Sequence, residues 1–177
     1  MNEKLKPLPD ILKKKLKILF VGTSPGVRSS KIGHYFAGHS NVFWKLMYES
    51  NLTNVLLKTE DDRKMLKFGY GLTDVVKTPT RTVSDIKQKY TIKSTRRLNR
   101  TLNLFEPKIV AFVGKFGFRI YSQNQYVNLE YGFQYKYGDV RIYLVPSTSG
   151  QSYADTKYNE KLDWYRSLRK YSNSIEF

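Results

Sequence analysis

The loop Gly22-Thr23-Ser24-Pro25-Gly26 spells G-x-S-x-G, the spacing of a hydrolase nucleophile elbow. Such an elbow would make Ser24 a nucleophile, with the backbone N–H of the following residue stabilising an oxyanion. That following residue is Pro25, which has no N–H. The order serine, acid, histidine fails as well. His39 is the last histidine, and no Asp or Glu lies between Ser24 and His39. Both facts reject a serine hydrolase. A phosphate-loop enzyme fits no better: Gly114-Lys115 runs into Phe116 rather than Ser or Thr, and no G-x-G-x-x-G follows the first apolar run. Ser84 to Lys87 matches S-x-x-K but reads as a helix cap beside a solvated lysine. The chain has no cysteine, which excludes disulfides and thiolate zinc sites. His34 and His39 are its two histidines, and no carboxylate cluster stands at ligand spacing, so no metal or cofactor is expected.

The elements that must position these residues follow from hydrophobic pattern. Leu16 to Gly22 predicts a short buried strand, and Ile109 to Gly114 and Val140 to Val145 predict two more. Leu72 to Val76 predicts another short one. Ser40 or Asn41 caps an expected helix carrying Val42, Phe43, Leu46 and Met47. Glu60-Asp61-Asp62 reads as the acidic first turn of a second helix ending near Gly69. Ser84 would cap a short basic helix, and a longer one would carry Leu98, Leu102 and Phe105 and stop before Pro107. A last helix is expected from about Asp155 to Tyr171, with Leu162, Trp164, Tyr165 and Leu168 on one stripe. Apolar strands alternating with helices imply a parallel sheet covered on both faces. In such sheets ligands bind outside the carboxyl ends of the strands. The loops 22–26 and 146–150 both leave strand ends of that kind.

The 177 residues suit one domain, and 31 Lys+Arg against 15 Asp+Glu give a formal charge of +16. Aromatics make up 15% of the chain, too many for a disordered basic tail. A surplus of this size points to a polyanionic partner, of which nucleic acid is the commonest. The basic residues concentrate in 81–100, where seven cations face only Asp85. No signal peptide is visible, and Ile18 to Val21 is far too short for a membrane span, which needs roughly 20 apolar residues. The expected compartment is the cytoplasm.

Several strings in register carry a resemblance. Gly22-Thr23-Ser24-Pro25-Gly26, then Phe36-Ala37-Gly38-His39-Ser40-Asn41-Val42-Phe43-Trp44-Lys45, resembles the first motif region of the mismatch-specific uracil/thymine-DNA glycosylases. That family reads G-I-N-P-G and then F-A-H-P-x-N-x-F-W-K. The run Gly71 to Thr80 is similar to its G-x-T-x-x-V-x-R-P-T, and Val113-Gly114-Lys115 to its later L-G-K strand end. Pro146 to Ser152 resembles its N-P-S-G-L-S loop. The correspondence runs from about 16 to 170 in one order.

The resemblance implies a three-layer α/β/α sandwich with a short, mainly parallel central sheet, and a monofunctional DNA glycosylase. Such an enzyme takes a base out of the stack and hydrolyses its bond to deoxyribose. Phe36 would stack on the flipped base. Backbone groups around Gly22, Thr23 and Gly26 would meet its edge, and Ser147 stands where the family has a base-contacting Asn. The family's Asn that holds the attacking water is Ser24 here, with one hydroxyl and a shorter reach. Asp74 is the candidate replacement, since a carboxylate orients water and stabilises positive charge on the sugar. The plain alternative is a surface Asp at a strand end, paired with Lys77. Gln151 occupies the place of the apolar wedge that fills the vacated stack, flanked by Ser149 and Gly150. Arg81, Arg96, Arg97 and Lys115 are candidates for phosphate contact. The expected partner is double-stranded DNA, with single strands also open, no membrane, and a monomer.

Two further classes stand beside this reading. One is a non-catalytic relative that binds DNA and reads flipped bases; the other is a nucleotide-binding α/β protein, weakened by the missing phosphate loops.

Overall fold

The computed structural model describes residues 5–82, 85–86, 89–123, 125, 129–150 and 156–175, without the side chains of Lys89 and Tyr90. Five strands form one sheet: β1 (Ile18–Gly22), β2 (Tyr70–Asp74), β3 (Ile109–Val113), β4 (Gly132–Tyr137) and β5 (Val140–Val145). Their order is β2-β1-β3-β5-β4. All neighbours run parallel except β4, which pairs antiparallel with β5. The helices are α1 (Val27–Ile32), α2 (Phe43–Glu49), α3 (Lys89–Phe105), α4 (Lys115–Tyr121) and α5 (Tyr158–Asn173), with a 3₁₀ helix at Thr59–Phe68.

Alternation along the strands builds two cores. Ile18 and Phe20 of β1 join Ile109, Ala111 and Val113 of β3 on one face, under α2, the 3₁₀ helix and α5. Leu19 and Val21 join Val110 and Phe112 on the other, under α3 and α4. The side chains alternate across each strand while both faces stay dry, so these strands read as continuous apolar runs. This is the expected α/β/α sandwich.

The differences from the expected elements have local causes. β2 starts at Tyr70 and ends at Asp74, two residues earlier at each end than the apolar run suggests, because it lies in register with β1 from Ile18↔Tyr70 to Gly22↔Asp74. The acidic turn at Glu60 to Asp62 opens a 3₁₀ rather than an α-helix, ended by Gly69 in the left-handed region at φ 77°. The N-cap of α2 is Val42, with no side-chain cap, and Asn41 stands one residue earlier, its Oδ1 accepting the Phe43 N–H at 3.0 Å. α3 is one helix from Lys89, and α5 starts at Tyr158. Ser84, Lys87, Gln151, Ser152 and Asp155 lie outside the described residues. The pattern left α1, α4 and β4 undetected. α1 has only Val27 and Ile32 as apolar residues, α4 sets Phe116, Phe118 and Ile120 two apart rather than at helical spacing, and β4 buries only Gly132 and is irregular between Phe133 and Tyr135. No helix among the described residues is long and apolar enough to cross a membrane.

The opposite edge strand, β2, is covered by the chain's own start. Ile11 and Leu72 exchange two backbone hydrogen bonds of 2.9 Å, which spares β2 an open edge. Gly71 makes that approach feasible, since a Cβ there would sit 2.7 Å from the Ile11 carbonyl oxygen and 2.5 Å from Leu16 Cδ1. Gly71→Ala should therefore destabilise the protein by about 1–3 kcal/mol in urea denaturation, the usual cost of overpacking. An unchanged midpoint would show that the leading segment is not docked as described.

Candidate active site

β2 and β3 lie on opposite sides of β1, so the connections leaving β1 and β3 diverge. The crevice between their carboxyl ends is a topological switch point, where open α/β sheets hold ligands. A cavity of about 330 Å³ opens there. Its lining comes from the loop after β1 (Gly22 to Gly26), α1 (Val27 to Ser29), Tyr35 and Phe36, Asp74, Thr80 to Thr82, and Ser147 to Ser149.

Asp74 ends β2 and is 3% exposed, which excludes the surface aspartate considered from sequence. Lys77 does not pair with it; its Nζ reaches Asp10 Oδ1 at 2.6 Å instead. Asp74 Oδ2 has no hydrogen-bond partner among the described residues. Burial pushes its carboxyl up to about 7; Lys77 and Arg97 pull it down, and Asp10 pushes it further up. Space for the group is made by Gly22, the residue beside it in register. A Cβ on Gly22 would stand 2.4 Å from Asp74 Oδ1.

Phe36 lines the cavity in a left-handed backbone conformation, φ 52°. That is uncommon for a bulky residue and persists only when the surroundings enforce it. Here both flanking amides are tied. The Tyr35 N–H donates to Asp62 Oδ2 at 3.1 Å, and the Ala37 N–H to Ser29 Oγ at 3.0 Å. Asp62 is buried on the 3₁₀ helix, and its Oδ2 also lies 3.2 Å from His34 Nδ1 without a hydrogen bond. One ring face of Phe36 stacks on Phe43, with centroids 3.8 Å apart and planes 14° from parallel. The remaining ring surface stays available to a planar ligand.

Ser24 Oγ lies 2.7 Å from Thr80 Oγ1. Two hydroxyls sharing one hydrogen bond keep one proton over, which suits them to hold a water. Gly26 is exposed, and a Cβ there would meet nothing within 4 Å. The fold thus has room for a side chain at 26, and the glycine matters only to what enters the cavity. Thr23 packs against Gly117, and its carbonyl accepts the Val76 N–H at 2.9 Å. The loop after β5 is pressed onto the segment before α2. The Val42 N–H donates to the Thr148 carbonyl at 3.0 Å, and a Cβ on Gly150 would lie 2.1 Å from Ser40 Oγ. Ser147 and Ser149 reach the cavity from that loop.

The four candidate phosphate contacts separate. Arg81 is exposed on the cavity rim. Arg96 is exposed on α3, outside the cavity lining. Lys115 sits with its Nζ 4.7 Å from the centre of the Tyr131 ring. Arg97 is corrected: it turns inward, with Nη1 3.2 Å from Asp10 Oδ2 and Nη2 donating to the Asp74 carbonyl. A guanidinium so engaged is a brace for β2, not a phosphate grip. The sequence reading missed Arg28 on the rim, Tyr35 in the wall, Thr80 beside Ser24, and Asp10. Asp10 had one signal, being the only acid between Lys4 and Lys17 in a basic stretch. Among the described residues no three His, Asp or Glu side chains converge as a metal site.

The raised carboxyl has a consequence for stability. Its folded value, about 7, lies above the ordinary 3.8, so folding disfavours the ionised form. The cost is absent below about pH 4, grows as pH rises to 7 and is complete above it, where roughly three pK units amount to about 4 kcal/mol. Asp74→Asn should therefore be more stable than the parent at pH 8 by a margin of that order, and close to it at pH 4. Urea melts at the two pH values test this; a margin that does not change with pH would contradict it.

A model of the Uracil DNA glycosylase superfamily matches residues 9–169. In fold the chain is similar to the solution NMR structure of a "putative Uracil DNA glycosylase" from Methanosarcina acetivorans. The TM-score is 0.58 at 20% identity, over 93% of this chain and 98% of that one. The family match spans the loop after β1, the buried carboxyl, the aromatic wall and the β5 loop alike; on that extent, this chain belongs to the uracil DNA glycosylase superfamily, whose members are DNA glycosylases.

Proposed function

We propose that the protein excises uracil, or a related deaminated or mismatched base, from DNA, as a member of the mismatch-specific branch of the superfamily. The observation that carries this reading is the Asp74 carboxyl, buried and unpartnered in the lining of a cavity that Phe36, strained and stacked on Phe43, also lines.

The base leaves the duplex, enters the crevice between β1 and β3, and stacks on Phe36. Asp74 in its ionised form takes a proton from a water as that water attacks C1′ of the deoxyribose. The bond from C1′ to the base breaks, and its electron pair leaves with the base. The negative carboxylate also stabilises the oxocarbenium-like sugar at the transition state. Ser24 and Thr80 hold the water from the side opposite the base. Arg28 and Arg81 on the rim meet the phosphates around the extruded nucleotide. The loop carrying Ser147 and Ser149 follows into the vacated stack, with Gln151 as its leading residue. Nothing in this scheme draws on a metal or cofactor.

The test is a labelled duplex with one G·U pair, incubated with the protein and then treated with alkali. Strand cleavage at the uracil is the expected result. Binding without any abasic product would mean a reader of flipped bases instead. Asp74→Asn should lower the single-turnover rate at least about a hundredfold, the low end for a lost general base. With the parent, that rate should fall as pH drops below about 7, where the Asp74 carboxyl becomes protonated. An Asp74→Asn variant at full rate would remove Asp74 from the chemistry. Phe36→Ala should weaken binding of the uracil-containing duplex by about 10- to 100-fold, the loss expected when one base loses its stacking platform.

A further inference from the structure

A buried carboxylate normally draws the nearest cation to itself. Two cations act on Asp74, Lys77 from the segment after β2 and Arg97 from α3. Neither pairs with its side chain. Lys77 Nζ donates to Asp10 Oδ1 at 2.6 Å and to the Tyr35 hydroxyl at 3.1 Å. Arg97 Nη1 donates to Asp10 Oδ2 at 3.2 Å, and Nη2 goes to the main-chain carbonyl of Asp74. Asp10 Oδ1 also accepts from Thr73 Oγ1 at 2.6 Å, the residue just before Asp74. Asp10 is in turn held by its own segment. Ile11 is paired with Leu72, Pro9 O accepts the Tyr35 hydroxyl at 3.2 Å, and Lys6 O accepts Ser30 Oγ at 2.6 Å.

We propose that Asp10 is a positioning residue: by engaging Lys77 and Arg97 it keeps both cations off the Asp74 carboxyl, which is thereby left unpaired toward the cavity. The catalytic consequence rests on the reading of Asp74 as the base; the electrostatic arrangement does not.

The signs reinforce one another. The charge of Asp10 repels a carboxylate on Asp74, and it anchors the two cations that would otherwise stabilise one. The other groups facing Asp74 do not offset this. Tyr35 stays neutral, because burial and the nearby acids push its hydroxyl up. Arg28 and Arg81 line the cavity from exposed positions, where water screens them. A carboxyl kept weakly acidic is a stronger base once ionised, which is what activating a water requires.

Carbon-13 NMR titration of the Asp74 carboxyl, assigned by its loss in Asp74→Asn, reads the arrangement without any turnover. Asp10→Asn should lower the Asp74 midpoint by about one pH unit or more as the two cations turn to it. Lys77→Met should raise the midpoint in the parent, where Lys77 already acts on Asp74 without pairing with it, and should raise it further in the Asp10→Asn background, where Lys77 is released to pair with Asp74. In single turnover on the G·U duplex, Asp10→Asn should lower the high-pH plateau severalfold. It should also raise the fraction of that plateau kept at pH 5.5 by roughly tenfold. An Asp74 midpoint unmoved by Asp10→Asn overturns the proposal, as do Lys77→Met effects that are equal in the two backgrounds. A midpoint that moves while the rate profile stays put upholds the positioning role and removes Asp74 as the base. Asp10→Ser, which keeps an oxygen for Thr73, answers the same question should the Asn variant not fold.

Discussion

Taking a carboxyl group out of water is costly unless a cation or donors receive it, and proteins usually arrange one or the other. Asp74 has a buried oxygen with neither, in the lining of the crevice at the carboxyl ends of β1 and β3. Much of the surrounding sequence is comprehensible as what that group requires. Gly22 must lack a side chain, since its Cβ would collide with the carboxyl. Lys77 and Arg97 must be occupied elsewhere, and Asp10 occupies them. The chain gives up stability at this carboxyl and recovers it in two dry cores on either face of the sheet.

The crevice itself is a product of strand order. Because β2 and β3 flank β1, the loops leaving β1 and β3 separate and leave a hollow between them. Its walls are set by contacts well outside it. Phe36 keeps a left-handed backbone because Asp62, on the 3₁₀ helix, and Ser29, on α1, bind the amides on either side. The β5 loop reaches the site because Thr148 is hydrogen-bonded to the start of α2. Three separate stretches of chain thus converge on a volume that suits a flat ligand lying against an aromatic ring. The rim adds Arg28 and Arg81, and a chain of net charge +16 places this opening in a field favourable to DNA.

The fold was largely legible in the residues. Apolar runs closed by glycine mark β1 and β3, and one running into Pro146 marks β5, because strands buried on both faces have no polar alternation to dilute the signal. β4 was invisible for the converse reason: at the sheet edge only Gly132 of its six residues is buried, so it offers no apolar run. α1 was missed because it has only two apolar residues, Val27 and Ile32, and α4 because Phe116, Phe118 and Ile120 stand two apart, the spacing of a strand. The site was legible in its loops and in Asp74. It was not legible in Arg97, which looks from sequence like one more surface cation of a basic stretch and proves to brace β2 from within.

By itself the sequence determined the covered parallel sheet, the two loops at its carboxyl edge, the failure of serine-hydrolase and phosphate-loop chemistry, and a polyanionic partner. These depend on periodicity, on residue types a few positions apart and on summed charge, all of which are local or additive. Only the tertiary structure decided that Asp74 is buried and bare, that Lys77 and Arg97 answer to Asp10 instead, and that Phe36 is strained against Phe43. Asp10 and Arg97 stand 87 positions apart in the chain. Which charge meets which, and how much water either keeps, is settled by packing across such distances, and no spacing rule along the sequence encodes it.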